Sequence, residues 1–207
     1  RENIKSLLAL ENITLTENSV LKNSAKNVDR CFILATGPSI NDIDLSLLKG
    51  EFCISVSNFF VHPLFNEIKP EYHIFAESHP PITEEQYINW LKDAADRINY
   101  PINFIISANE LHLLNKHEIF IKHKKYYYLP GGKYPVDFTK GLPDIQTVVH
   151  IAIYLAMFIG IKEIYLVGVD NTLNFQKNSF VFYKQGTYLT SQNCSNYITE
   201  IILWVTQ

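Results

Sequence analysis

The chain lacks any run of about 20 apolar residues, the length a membrane-spanning helix needs. Its best candidate, Asp144 to Phe158, is interrupted by Gln146 and His150. Positive charge is not in excess either: 18 Lys and Arg against 21 Asp and Glu leave a net charge of -3, which argues against a nucleic-acid footprint. The one basic run, Lys122-His123-Lys124-Lys125, leads into Tyr126, Tyr127 and Tyr128 and reads as a solvated loop entering a strand. Cysteine is scarce. Cys31, Cys53 and Cys194 are odd in number, and the first two fall in strand-like runs, so reduced thiols in a cytoplasmic protein are expected instead of a disulfide framework. No metal-ribbon or signal-peptide pattern is evident, and a chain opening at Arg1 without Met is expected to be a piece of something longer. What remains is 207 residues, 47% hydrophobic and 19% charged, enough for one sizeable core.

The strongest positive signal is Glu163 to Asp170. Ile164, Tyr165, Leu166 and Val167 end in Gly168-Val169-Asp170, which reads as a buried central strand delivering an acid to the carboxyl edge of a parallel sheet. Before it, Val148, Val149, Ile151, Ile153, Leu155, Met157 and Phe158 make a helix that is apolar on nearly every face, with Gly160 where a left-handed cap would fall. Further strands are expected over Cys31–Ala35, Phe52–Val56, Tyr72–Ala76 and Ile102–Ile106. Thr83 and Gln86 match the capping-box spacing at the start of a helix running to Ile98.

Strands alternating with helices predict an α/β, Rossmann-like, mostly parallel sheet flanked by helices. The expected organisation is a lead-in over 1–30, a nucleotide-binding domain over 31–170, and a lid with a terminal helix over 171–207. In such sheets ligands gather at the carboxyl ends of the strands. Those ends carry Thr36-Gly37-Pro38-Ser39, Ser57-Asn58, Glu77-Ser78-His79, Ser107-Ala108-Asn109 and Asp170-Asn171. Gly37 is expected to free the backbone for a tight turn that Pro38 and Ser39 continue as a helical turn, an arrangement suited to a phosphate. The glycine trio of a dinucleotide fingerprint is absent. Asp42 and Asp44 have the D-x-D spacing of a cation site, but Asp44 precedes Leu45-Ser46-Leu47-Leu48 and reads as an N-cap. His62 and His73 read as surface or half-buried residues, and His112, His117 and His123 fall in a charged stretch. His79, at the expected site edge, is the candidate for general-base work.

Taken together, ATGPSINDIDLSLLKG, then FTKG, an apolar helix and GIKEIYLVGVD resemble the bacterial family-42 sialyltransferases and the related domains of motility accessory factors and surface-polysaccharide loci, over roughly residues 31–170. The resemblance implies a glycosyltransferase that moves a sialic or related nonulosonic acid from a CMP-activated donor to a glycan acceptor. It implies inverting displacement without metal or cofactor. Gly37-Pro38-Ser39 would face the donor phosphate, Asn58 would match a donor-binding Asn, and Asp170 a site acid. Glu77 falls where that family has an Asn, and Thr139-Lys140-Gly141 where it has a Thr-Ser-Gly turn. Thr36 replaces the Asn that normally precedes Gly-Pro-Ser, and no His follows His150 to supply that family's lid base. Two other readings stand beside this one: an ATP-dependent pyrophosphokinase of the pterin type, and a non-catalytic nucleotide-binding module. Peripheral association with the inner face of a membrane and a homo-oligomer are both compatible with the resemblance.

Overall fold

The computed structural model describes residues 15–170 of the chain. Residues 1–14 of the expected lead-in, Asn171, Cys194, and the lid and terminal helix expected over 171–207 lie outside them.

Six strands form one sheet: β1 (Arg30–Leu34), β2 (Cys53–Val56), β3 (Tyr72–Ile74), β4 (Asn103–Ser107), β5 (Lys124–Tyr128) and β6 (Glu163–Val167). All pair in parallel, in the order β5-β4-β3-β2-β1-β6. The α/β Rossmann-like expectation holds, and the sheet is parallel throughout its described length. Alternation along each strand sorts the side chains onto two faces. Cys53, Phe75, Phe104 and Ile106 join one apolar cluster, and Cys31, Ile33, Ile54, Val56, Ile74 and Ile105 the other.

The connections explain why two faces are needed. From β1 to β5 the chain steps steadily in one direction through short 3-10 turns, α1 (Phe65–Ile68), α2 (Glu84–Arg97) and α3 (Leu111–Lys116), all on the Cys53 face. It then returns through α4 (Val148–Ile159) on the opposite face to lay β6 beside β1. Right-handed crossovers require this: reversing the direction of travel along a parallel sheet moves the connecting helix to the other side. The reversal leaves a topological switch point between β1 and β6.

Local sequence accounts for the helix ends. Thr83 Oγ1 accepts from Gln86 N at 3.2 Å while Thr83 N donates to Gln86 Oε1 at 2.9 Å, completing the expected capping box of α2. Helix α4 ends at Gly160 with φ 94°, the left-handed cap expected there. Its start uses a device the sequence did not announce, since the buried His150 accepts from Gln146 N at 3.0 Å and Thr147 N at 3.2 Å through Nδ1. Asp44 caps the turn Leu45–Leu48 by accepting from Ser46 N at 3.1 Å, as its capping reading requires.

Two expectations are corrected. Strand β6 is the outermost strand of the described sheet and not a central one; Tyr165 is 45% exposed. An apolar run marks a strand but carries no information about how many neighbours it has, and here Phe32 stacks on the Tyr165 ring at 5.2 Å. His73 is fully buried instead of lying at the surface or half-buried. Its ring sits edge-on to Phe60, Phe65, Phe75 and Phe104, and both ring nitrogens have partners.

The polar segment before β1 also packs. Leu15, Leu21 and Ala25 are buried, and Asn18, with no exposed surface, donates through Nδ2 to the carbonyls of Tyr127 and Phe138. One amide thereby ties the end of β5 to the loop that leads back toward α4.

Candidate functional site

The turns after β1 and β6 are stitched together across the switch point. Ala35 N donates to Val167 O at 2.9 Å, Gly37 N to Gly168 O at 2.6 Å, and Ser39 N to Asp170 Oδ2 at 2.6 Å. The third bond joins two residues 131 positions apart in the chain. Pro38 opens a 3-10 turn, Pro38–Asp42, as the sequence suggests, and Thr36 lies half-buried just before it.

Gly37 is required for a reason other than the one expected. Its φ of -68° and ψ of 153° are open to any residue, so backbone freedom is not at issue. A Cβ there would sit 2.5 Å from both Gly168 O and Asp170 Oδ2. The glycine permits close approach of the two turns. Gly168 complements it with φ 68°, and its own Cβ would meet Ala35 O at 2.9 Å.

The remaining strand ends extend along the same edge. After β2, Ser57 holds φ 52° and Asn58 is buried, its amide oxygen accepting from the Trp90 indole of α2. After β3, Glu77 accepts from the Asn109 amide, and Ser78 donates from N at 2.9 Å and from Oγ to Glu110 Oε1. Glu110 is only 4% exposed. No described basic residue forms an ion pair with Glu77 or Glu110. His79 is exposed, and its Nδ1–H donates to Pro80 O at 3.0 Å, which leaves Nε2 with the lone pair in the neutral ring.

The Thr139-Lys140-Gly141 turn is built differently. Asp137 Oδ1 accepts from Thr139 N at 2.9 Å and from Thr139 Oγ1 at 2.6 Å; burial pushes its carboxyl up, but these bonds together with Lys140 hold it below the ordinary value. Lys140 is exposed and pairs with Asp137 at 3.6 Å. Gly141 packs against Gly132, and Leu142 N donates to Leu129 O at 2.7 Å, so this turn is stapled to the end of β5. The fold brings together Gly37, Ser39 and Asp170 by direct contact. It carries Asn58, Glu77, Ser78 and His79 along the same edge, and among the described residues it holds Thr139–Gly141 in a loop bonded to Asp137 and not to the switch point.

A family model described as 6-hydroxymethylpterin diphosphokinase MptE-like matches residues 3–198. The chain belongs to this MptE-like family. No curated protein and no solved structure matches it. The family is named for an enzyme, and its model covers more of the chain than the sequence resemblance over 31–170.

Several residues that shape this edge escaped sequence reasoning: Trp90 from mid-helix, Glu110 after β4, and the buried pair Ser55 and His73. For Trp90 and His73 no local pattern could have signalled the role, because each acts across the fold from a position that looks like core. Asn109 was visible as a strand-end residue, but its pairing with Glu77 was not. Among the described residues no group of His, Cys, Asp or Glu is arranged to hold a metal ion, and no helix is long and apolar enough to cross a membrane.

Proposed function

We propose that the chain is a glycosyltransferase that binds a CMP-activated acidic sugar of the sialic or nonulosonic kind at the β1/β6 switch point and passes the sugar to a glycan acceptor. The observation that carries this reading is the stitched switch point itself. Open parallel sheets bind nucleotides where strand order reverses, and here that place is formed by Gly37, Ser39 and Asp170. The resemblance of the same residues to CMP-sugar transferases supports the choice of nucleotide.

In this reaction the acceptor hydroxyl oxygen attacks the anomeric carbon, the bond from that carbon to the CMP phosphate oxygen breaks, and CMP leaves with the electron pair. The acceptor proton passes to a base. His79 is the proposed base: its Nδ1–H is committed to Pro80 O, so Nε2 is the nitrogen available to take the proton. Gly37 N and Ser39 N are already bound to Gly168 O and Asp170 Oδ2, so charge on the departing phosphate is met by the hydroxyl donors of the same turn, Thr36 and Ser39. Peripheral membrane association would bring the enzyme to a polysaccharide acceptor, and the chain would act as a homo-oligomer.

The name of the family favours a second reading, a diphosphokinase acting on a hydroxymethylpterin with ATP and Mg²⁺. A thermal-shift panel separates the two. Stabilisation by CMP in the presence of a chelator, together with CMP release from CMP-sialic acid on adding a glycan, supports the transferase. Stabilisation by ATP with Mg²⁺ and not by CMP would replace it with the diphosphokinase, and no response to either would leave a non-catalytic module.

A further inference from the structure

Ser57 is a non-glycine residue held at φ 52°, at the carboxyl end of β2, one residue before Asn58. Left-handed backbone at such a residue persists only where the surroundings over-determine it, and it collects at functional sites. What holds it here is His73, one strand over. Its Nε2 lies 3.0 Å from Ser57 O, and a carbonyl can only accept, so Nε2 carries the proton. Nδ1 is then an acceptor, and Ser55 Oγ at 2.7 Å donates to it. Ser55 and His73 are register partners in the parallel pairing of β2 with β3, so the sheet sets the reach of this relay.

The aromatic box around the ring makes the arrangement rigid. Phe60, Phe65, Phe75 and Phe104 surround His73, which has no exposed surface, and the imidazole can satisfy its polar atoms nowhere else. The next residue is held from the other side. The Trp90 indole donates to Asn58 Oδ1, which settles the orientation of the amide. Asn58 Nδ2 then has no partner among the described residues.

We propose that His73 is a positioning residue: by pinning the carbonyl of left-handed Ser57 it fixes Asn58, whose amide N–H groups are thereby offered to the nucleotide at the carboxyl edge. This inference rests on the reading of that edge as a nucleotide site. It assigns His73 and Trp90 to the site without either touching ligand.

The test is calorimetric titration of CMP into the full chain and into His73→Gln, His73→Phe and Ser55→Ala, with melting temperatures measured in parallel. A glutamine amide can donate from nearly the place of Nε2, so His73→Gln is expected to keep CMP affinity within about threefold of wild type. His73→Phe, which keeps the ring and loses the donor, is expected to lose at least about tenfold. Ser55→Ala, which removes the donor to Nδ1 that fixes the tautomer, is expected to fall between them, and it keeps the test decisive if His73→Phe does not fold. Affinity that is unchanged in His73→Phe and Ser55→Ala, or that falls equally in the glutamine and phenylalanine variants in step with melting temperature, overturns the positioning role while leaving the nucleotide site standing. Absence of CMP binding by the wild type removes the nucleotide reading itself, and this inference with it.

Discussion

At Gly37 even a methyl group lacks room, since its carbon would lie 2.5 Å from a backbone carbonyl that cannot rotate away. Gly37→Ala is therefore expected to separate the β1 and β6 turns, lengthening or breaking the Ser39–Asp170 bond. Melting temperature should fall together with nucleotide affinity, by about 2–4 °C for each kcal/mol lost in a chain of this size. A variant with wild-type melting and binding would show that the two turns are not held in contact. Asp170→Asn tests the other side of the same bond. The amide oxygen can still accept from Ser39 N, so the fold is expected to survive with little change in melting temperature, while nucleotide affinity or turnover drops at least about tenfold. His73 supplies a pH signature. Burial lowers its pKa from 6.5 to about 3, against a smaller opposing effect of the Ser57 carbonyl, and the groups that face it are aromatic rings and the Ser55 hydroxyl. Below pH 6.5 the unfolded chain takes up a proton that the folded chain refuses until about pH 3. Stability contributed by the neutral ring is thus present above that window and lost as pH falls through it, by up to about 1.4 kcal/mol per pH unit. Melting temperature followed from pH 7 to pH 4 should decline less steeply in His73→Gln than in wild type, and parallel curves would contradict the burial of a neutral imidazole.

Among the elements, α2 links stability to the site because it carries Trp90. Removing its capping box by Thr83→Ala is expected to cost about 1 kcal/mol, read as a fall of roughly 2–4 °C in melting temperature. Trp90 lies two turns farther along, so CMP affinity should hardly change. This helix was legible from its cap residues, and α4 from its apolar run and Gly160, because helix ends follow local rules. The strands were legible for a similar reason: five hydrophobic runs became β1, β2, β3, β4 and β6 with shifts of a residue or two. Their neighbours were not. Whether Ile164 to Val167 lies at the centre or at the end of a sheet depends on pairing, which a hydrophobic run does not encode. The site divides the same way. Gly37, Ser39 and Asp170 could be named from their places at strand ends, whereas the Ser55–His73–Ser57 relay depends on the register between β2 and β3.

Over the whole molecule, one reversal of direction organises the rest. Five strands laid down in one sense and a sixth returned beside the first oblige the sheet to carry helices on both faces and to open one crevice at its carboxyl edge. Membership of the MptE-like family over residues 3–198 is consistent with an enzyme built on that crevice. The central claim is that a nucleotide phosphate binds there. Its most direct test is amide NMR of the ¹⁵N-labelled chain titrated with CMP in the presence of a chelator. The account predicts that the largest shifts fall on the backbone amides of Gly37, Ser39 and Asp170 and on the side-chain amide of Asn58. Shifts confined to the amino-end cavity lined by Lys92, Asp96, His117 and Lys122, or no shifts at any concentration, would contradict it.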